Sequence, residues 1–251
     1  MIETSLEDGL LTVRLAHGKA SALDLELCQA LRNQLEAAAA ADDVRAIILT
    51  GQGSIFSAGV DLPRLVAEGT GYVQAFVEEL EAALRALFLF PKPAVAAVNG
   101  HAIAGGAILA FACDVRIMSG GRIGVPELLV GVPFPPMALE IVRFAIPSHH
   151  LQSMVLFGRT IDAASAHSIG MIDEVVGTDG LALRATHLAT ELAGVSPIAF
   201  RLTKRQLREP YLRTAAAIST ASADEIDEQW ASQATHDRIR AYLAKTIGKK
   251  S

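Results

Sequence analysis

The sequence predicts an α/β protein, because short runs rich in β-branched residues alternate along the chain with longer runs of helical periodicity. A glycine closely follows each predicted strand, which is typical of a strand that ends in a tight turn. Of the 251 residues, 51% are hydrophobic and 20% are charged, so a large buried core is available. Strand, turn and helix are therefore expected to recur as the building unit.

The individual elements follow from local composition. Runs of Val, Ile and Leu predict strands at 10–15, 44–50, 94–98, 114–118 and 172–176. Apolar residues that recur every three to four positions predict helices at 25–40, 72–88, 106–112, 137–144, 150–157 and 163–169. For the last of these helices, Asp162 is a suitable N-cap and Gly170 a suitable residue just beyond the end.

The C-terminal part of the chain has a different pattern, because no strand is predicted beyond about residue 195. Ser196 and Pro197 read as an N-cap followed by a first-turn proline, which opens a helix through Leu207. A second long helical pattern covers 224–245. We therefore expect an α/β core over residues 1–195 and a helical module over residues 196–251 that packs against it.

Charge and cysteine content exclude several classes of protein. The 22 Lys and Arg residues and 27 Asp and Glu residues give a net charge of −5, which is too acidic for a nucleic-acid-binding protein. Residues 195–251 carry 10 basic and 6 acidic side chains, so a polyanionic ligand would favour this part. The two cysteines form no CxxC motif, and the first residues do not resemble a secretion signal. These features predict a cytoplasmic protein.

One uncharged stretch, residues 93–113, has the length of a membrane span. Two interruptions, Asn99-Gly100 and Gly105-Gly106, favour a buried strand, a turn and a buried helix instead, so no membrane association is expected. The GxGxxG, GxxxxGK[ST], GxSxG and HExxH motifs are absent, and the histidines are scattered, so neither a nucleotide-binding loop nor a metal site is predicted.

Two glycine-containing turns are candidate binding elements. In segment 56–62, Phe-Ser-Ala-Gly-Val-Asp-Leu, small residues would let a ligand approach the main chain and leave the N–H of Ala58 free to donate. The alternative is an ordinary β-turn in which Asp61 caps the next segment. Segment 98–106 leads from a strand into a helix that starts with Gly-Gly. Its unpaired N–H groups would suit an oxyanion, although close helix packing also demands small residues.

A single carboxylate, Glu127, lies among apolar residues in segment 123–131. In such surroundings a carboxylate is desolvated and its pKa rises, which makes it a candidate general base. The alternative is that Glu127 is a helix cap or a surface residue in a salt bridge.

Taken in this order, the three segments resemble the crotonase superfamily, the enoyl-CoA hydratase/isomerase fold. Segment 19–23, Lys-Ala-Ser-Ala-Leu, and segment 196–204, with its proline and lysine, are also similar to that family, so the resemblance covers most of the chain. It implies a spiral of repeated ββα units followed by a helical trimerisation module, and an assembly of three or six copies. The apolar faces of the C-terminal helices would need a partner, and they comprise Ile198, Phe200, Leu202, Leu207, Ile226, Trp230 and Ile239.

The resemblance also implies an acyl-CoA thioester as substrate, with the N–H groups of Ala58 and Gly105 as oxyanion hole and Glu127 as acid and base. Lys204 would lie near the nucleotide end of CoA, bound to this subunit or to a neighbouring one, and would form an exposed ion pair with it. No metal and no cofactor beyond the CoA of the substrate is implied. The residues implied to contact the substrate are Ala20, Ala22, Leu23, Ala58, Gly59, Val60, Asp61, Leu62, Gly105, Ile108, Phe134 and Lys204.

Two departures from the family pattern bear on the reaction. Hydratases of the family carry two glutamates; Glu127 matches the second, whereas Ile108 stands at the first. Their later glycine-rich stretch is replaced by Val-Pro-Phe-Pro-Pro at 132–136. Since a proton shuttle needs one base, we expect an isomerase that converts 3-enoyl-CoA to 2-enoyl-CoA in a dry pocket. The alternatives are a hydratase, hydrolase or decarboxylase of this fold, with His101 in place of the missing glutamate, or an acyl-CoA-binding protein without turnover.

Overall fold

Paired strands build the central part of the molecule. The computed structural model describes residues 1–247; the last residues of the predicted C-terminal module, 248–251, lie outside the described residues. The strands of residues 1–247 are β1 (Ile2–Glu7), β2 (Leu10–Leu15), β3 (Ala46–Thr50), β4 (Ile55–Ser57), β5 (Ala94–Val98), β6 (His101–Ile103), β7 (Val115–Met118), β8 (Arg122–Gly124), β9 (Thr160–Asp162) and β10 (Glu174–Val175).

Helices follow the strand pairs and then make up the whole C-terminal part. In chain order they are α1 (Leu25–Ala40), α2 (Leu62–Ala67), α3 (Thr70–Phe88), α4 (Gly105–Ala112), α5 (Glu127–Val130), α6 (Pro136–Ala145), α7 (Ser148–Leu156), α8 (Ala163–Ser168), α9 (Leu181–Ala193), α10 (Pro197–Ala231) and α11 (Gln233–Ile247). None of the described helices is both long enough and apolar enough to cross a membrane.

The strands divide between two sheets in a repeating way. One sheet has the order β1-β2-β3-β5-β7-β10 and the other the order β4-β6-β8-β9. In the pairs β3–β4, β5–β6 and β7–β8, the first strand joins the larger sheet, the second joins the smaller sheet, and helices follow. Equivalent strands of successive pairs are parallel neighbours. The prediction of an α/β spiral of ββα units is therefore confirmed.

Hydrophobic burial explains why these repeats stack. The main core lies between the helices and one face of the larger sheet, and the charge-free stretch 93–113 forms β5, β6 and the wholly buried α4 within it. The other face of the larger sheet carries a smaller apolar cluster, which is covered by α9. The turns that connect the two sheets all lie at the same edge of the spiral.

Local signals at helix ends are confirmed where a side chain makes the cap. Asp162 accepts a hydrogen bond from the Ser165 N–H at the start of α8, and Gly170 beyond its end has a φ of +74°. Ser196 accepts from the Ala199 N–H, with Pro197 in the first turn of α10. The predicted helix starting at Leu25 has its N-cap in Asp24, which accepts from the Leu27 N–H.

The C-terminal helices differ from the prediction. The helix expected to end at Leu207 continues to Ala231 with Pro210 inside it, because packing against α3 and α6 outweighs the hydrogen bond that proline removes. The helix expected over 224–245 is interrupted at Ser232, whose hydroxyl accepts from the Thr235 N–H and starts α11. The division of the chain at residue 195 stays a prediction, since α10 and α11 pack directly on the core helices.

Candidate active site

A small apolar cavity lies where the turns after β4 and β6 meet α5, α6 and the C-terminal helices. Its volume is about 100 Å³, and one carboxylate faces a lining that is otherwise almost entirely apolar. Two larger clefts on the molecule, of about 610 and 800 Å³, are wide grooves with charged or polar rims. The small cavity is the better reaction site, because enclosure and low polarity strengthen electrostatic effects on a bound group.

The two glycine-containing turns are in direct backbone contact. Gly59 has a φ of +81°, and a Cβ added there would lie 2.7 Å from the Ile103 carbonyl oxygen and 3.2 Å from the Gly105 nitrogen. A Cβ at Gly106 would lie 2.3 Å from the carbonyl oxygen of Ser57. Distances below 3.0 Å leave no room for a side chain, so glycine is required at both positions.

One predicted oxyanion donor is wrong. The N–H of Ala58 is not free, because it donates to the Ala20 carbonyl at 3.0 Å. Leu23, in the same N-terminal segment, donates to the Gly59 carbonyl at 2.8 Å and accepts from the Asp61 N–H at 2.9 Å. In this parallel pairing Val60 turns its own N–H away from the N-terminal segment.

The Val60 N–H is therefore the available donor of this turn. No acceptor for it is found among residues 1–247, and Val60 lines the cavity. Gly59 lies between Ala58 and Val60 and has a left-handed conformation, which reverses the direction of the N–H that follows it. The Ala58 N–H therefore points to the N-terminal segment, whereas the Val60 N–H points away from it.

A second free donor is the N–H of Gly105, the first residue of α4. It has no acceptor within the described part of the chain, as expected for the first turn of a helix. The preceding residue, Ala104, has a φ of +54° and a ψ of −129°, although it is not glycine. Such a conformation costs on the order of 1–3 kcal/mol and is found where function needs it. Here it turns the chain sharply from β6 into α4.

Glu127 begins α5 and is 6% exposed. Its Oε2 atom is buried and has no hydrogen-bond partner among the described residues. Desolvation by burial raises the pKa of Glu127 to about 8. The alternatives of a helix cap and of a surface salt bridge are therefore wrong for this carboxyl group.

The other walls of the cavity are apolar. They include Ile108, the position at which the resemblance places the first glutamate of the hydratases. Ile108, one turn along α4 from Gly105, is 3% exposed and faces the cavity. Phe134, from the segment that replaces the family's glycine-rich stretch, also lines it. His101 is exposed and accepts a hydrogen bond from the Arg122 N–H at 3.3 Å through Nδ1. It does not line the cavity.

The structure brings most of the predicted substrate-binding residues together. Ala58, Val60, Leu62, Gly105, Ile108, Glu127 and Phe134 line the cavity. Ala20, Leu23, Gly59 and Asp61 adjoin it through the backbone pairing just described, and Ala22 lies between two of them. Asp61 also caps α2 by accepting from the Arg64 N–H at 3.0 Å, so the cap and the proximity to the cavity coexist.

Lys204 is not brought to this cavity, and the expectation that its ammonium is exposed is wrong. The residue is 7% exposed, and its Nζ lies 2.7 Å from the Asp114 carboxylate. Arg208 pairs with the other oxygen of Asp114 at 2.7 Å. Asp114 precedes β7 and binds the first residue of β5, whereas the cavity lies beyond the far ends of these strands.

Sequence reasoning missed the residues that close the cavity from distant parts of the chain. Leu80 and Leu84 come from α3, Trp230 from the end of α10 and Tyr242 from α11. Spacing on α3 places the two leucines on one face, which is the only local signal. Trp230 is 2% exposed and Ile239 is fully buried inside this chain, so neither needs a second copy to cover it. Ile198, Leu202 and Leu207 remain exposed.

Comparison with known proteins identifies the family. The model of the enoyl-CoA hydratase/isomerase family matches residues 5–247. The 2,3-dehydroadipyl-CoA hydratase of Escherichia coli is 32% identical over 231 residues, which cover 90% of this chain and 88% of that protein. The chain therefore belongs to the enoyl-CoA hydratase/isomerase family, as the resemblance indicated.

Solved structures agree with this assignment. The human mitochondrial delta3-delta2-enoyl-CoA isomerase superposes with a TM-score of 0.94 over 100% of this chain and 99% of its own, and at 21% identity this likeness shows the fold. An enoyl-CoA isomerase of Mycobacterium tuberculosis is 30% identical, with a TM-score of 0.79 over 88% of this chain and 98% of its own.

Proposed function

We propose that this protein is an enoyl-CoA isomerase that converts a 3-enoyl-CoA to a 2-enoyl-CoA with Glu127 as its only acid and base. The observation that carries the proposal is the buried carboxyl group of Glu127, whose Oε2 has no hydrogen-bond partner among the described residues, in a cavity with no second carboxylate in its lining. Burying such a group without a partner is unfavourable, so a structural role does not account for it. A proton shuttle between C2 and C4 needs one group of this kind.

Two backbone donors would make the proton removal feasible. The thioester oxygen would accept from the N–H groups of Val60 and Gly105. The family resemblance implied Ala58 and Gly105, so Val60 takes the place of Ala58. Negative charge moves onto that oxygen when the C2 proton leaves, and each donor stabilises it by about 3–4 kcal/mol in comparable sites. Both donors are backbone groups of turns in mutual contact, so they are fixed before the substrate binds.

The proposed proton path begins with the ionised Glu127, whose Oε2 takes a proton from C2 of the 3-enoyl-CoA. The electron pair is delocalised over C2, C3 and C4 as a dienolate on the thioester. The protonated Glu127 then delivers the proton to C4, and the double bond between C2 and C3 forms. A pKa of about 8 suits both steps, because neither the acid nor the base form is strongly favoured near neutral pH. No metal or redox cofactor takes part in this path.

A hydratase is the second candidate, and the names of relatives favour it. The Escherichia coli relative is named a hydratase, and the Mycobacterium tuberculosis protein is described as an isomerase in one structure and as a probable enoyl-CoA hydratase in another. Hydration needs a water molecule held and activated beside C3, and Ile108 offers no group to hold it. Since His101 lies outside the cavity, it does not replace the missing carboxylate.

One assay separates the candidates. The protein is mixed in turn with a 3-enoyl-CoA and with the 2-enoyl-CoA of equal length, and the products are separated by chromatography. Conversion of the first into the second, without a hydroxyacyl-CoA, is expected. Hydroxyacyl-CoA from the 2-enoyl substrate would indicate a hydratase. Free CoA or shortened acyl-CoA would indicate hydrolysis or decarboxylation, and binding without product would indicate a non-catalytic acyl-CoA-binding protein.

Assembly into a trimer or hexamer and a cytoplasmic location are part of the same proposal. The exposed apolar residues of α10, Ile198, Leu202 and Leu207, are 64%, 50% and 62% exposed, which supports a further interface. Sedimentation should give a mass of three or six times 26.5 kDa. A monomer that turns over acyl-CoA would contradict the assembly.

A further inference from the structure

We propose that Trp230 ends the acyl pocket and restricts this enzyme to short acyl chains, an inference that rests on the proposed function for its substrate class. Trp230 is distant in sequence from both reaction turns, and it reaches the cavity from the last turn of α10. It is 2% exposed and is the only tryptophan of the chain.

The position of Trp230 follows from the row of side chains on α3. Leu80 and Leu84 line the cavity, whereas Phe76, one turn earlier on the same helix, does not. The Phe76 ring instead packs against the Trp230 indole, with ring centroids 6.5 Å apart and planes tilted by 58°. Trp230 therefore forms the wall between the cavity and the next layer of the core.

Hydrogen bonds hold this wall in place. The Trp230 indole N–H donates to the Pro133 carbonyl at 3.1 Å, which ties the end of α10 to the segment that carries Phe134. At the corner between α10 and α11, the Gln229 side-chain amide donates to the Thr235 hydroxyl at 2.6 Å. The corner directly follows Trp230 in the chain. The bond to Pro133 and the bond at the corner therefore both restrict the position of this tryptophan.

The size of the cavity sets the expected substrate class. An apolar cavity of about 150 Å³ engineered in another protein accommodates benzene, a group of six carbon atoms. The cavity of about 100 Å³ found here is smaller, so it suits an acyl group with roughly four to six carbon atoms. A chain of twelve carbon atoms would have to displace Trp230.

The test compares acyl chains in variants of one position. The rate constant kcat/KM is measured for 3-enoyl-CoA substrates with six and twelve carbon atoms. We expect the wild type to prefer the shorter chain at least tenfold, and Trp230→Ala to move this ratio at least tenfold towards the longer chain. Trp230→Phe keeps most of the volume, so its ratio should stay within about threefold of the wild type.

A matched control separates cavity shape from general loosening of the core. Phe144 packs against Phe88 and Tyr211 and does not line the cavity, so Phe144→Leu should lower Tm without changing the chain-length ratio. A folded Trp230→Ala protein that keeps the wild-type ratio would overturn the proposal. If that variant does not fold, Trp230→Leu takes its place under the same criterion.

Calorimetry keeps this inference distinct from the proposed reaction. Wild-type protein is titrated with saturated butyryl-, hexanoyl- and dodecanoyl-CoA, which bind without undergoing isomerisation. Affinity should be highest for hexanoyl-CoA and lower for dodecanoyl-CoA. Affinity that increases through dodecanoyl-CoA would refute the role of Trp230 even if the protein is an isomerase, whereas short-chain selectivity without turnover would refute the isomerase alone.

Discussion

Two buried acidic groups of this molecule have opposite surroundings. Asp114 is enclosed by Lys204 and Arg208, each 2.7 Å from one of its oxygens, and it also accepts from the Ala94 N–H at 2.8 Å. Glu127 is more deeply buried, since the Asp114 side chain is 14% exposed, but its Oε2 has no partner in the described part of the chain. The first carboxylate joins α10 to two strands, and the second faces a cavity.

The difference in partners indicates which of the two carboxyl groups has a structural role. Transfer of an ion from water into the interior is costly, and partners offset much of that cost. At Asp114 the partners are present, although burial still lowers the pKa of Lys204 to about 8 against the opposing effect of Asp114. At Glu127 no cation offsets the cost, and desolvation outweighs the hydrogen bond from the residue's own N–H. The pKa therefore rises to about 8, and the group can exchange a proton near neutral pH.

The strongest test of this contrast is Glu127→Gln. The amide keeps the volume but does not accept a proton at neutral pH, so isomerisation should fall by about a thousandfold, while acyl-CoA binding stays nearly unchanged. Steady-state rates and calorimetry measure the two quantities. Glu140 is 2% exposed and paired with Arg143 at 3.0 Å, so Glu140→Gln is the matched control and should keep the activity. Near wild-type activity of Glu127→Gln would make Glu127 a structural residue.

Asp114→Ala tests the paired cluster. It leaves the cations of Lys204 and Arg208 buried without their carboxylate, so the free energy of unfolding should fall by about 3–5 kcal/mol. Urea unfolding followed by circular dichroism measures the change. Asp237→Ala is the comparison, because Asp237 pairs with Arg240 on the surface and should contribute less than about 1 kcal/mol. Equal effects of the two substitutions would show that the buried cluster contributes no more to the free energy of unfolding than a surface ion pair does.

The pH dependence of stability tests the protonation of Glu127. The pKa of folded Glu127 is about 8, above its ordinary value of 4.5, so the folded state keeps a proton that the unfolded state loses. Its contribution to stability is therefore complete below pH 4.5 and declines as pH rises towards 8, by at most about 1.4 kcal/mol per pH unit. Unfolding of wild type and Glu127→Gln should diverge over this range. Parallel curves would mean that the carboxyl group is ionised throughout.

The smallest expected effect comes from adding a second carboxylate. Ile108→Glu should produce weak hydratase activity, because it places a group that can hold water on the wall of the cavity. A polar side chain without a partner there costs about 2–7 kcal/mol even when it is uncharged, so the variant will be less stable. Ile108→Gln has nearly the same shape and is the control for stability. A folded Ile108→Glu protein without any hydration product would show that segment 132–136 also excludes the water.

Periodicity predicted six helices of the core well, because their apolar faces are repeated, but it missed α9 (Leu181–Ala193) and ended α10 too early. The helix Leu25–Ala40 has the predicted bounds, and five others begin and end within two residues of theirs. The second strand of each ββα unit was missed, because three residues such as Arg122–Gly124 offer too little pattern between turns. The interruption at Ser232 depends on one hydroxyl group at a corner, which helical periodicity does not record.

The site was predictable where chemistry depends on residue type. A lone glutamate among apolar residues indicated the buried Glu127, and glycine pairs indicated the helix start at Gly105. The choice between the N–H groups of Ala58 and Val60 was not predictable, since it depends on the backbone direction at Gly59. The burial of Lys204 depends on Asp114, which lies 90 positions earlier in the chain.

The contact between the two turns has a consequence for the range of reactions open to this fold. Both proposed oxyanion donors are backbone N–H groups, and Gly59 and Gly106 leave no space for variation there. The Ile108 side chain, which faces the cavity from α4, can change without altering the backbone of either donor. Evolution could therefore reach a new reaction on an activated thioester through single substitutions in the wall, while the part that stabilises the enolate is inherited unchanged.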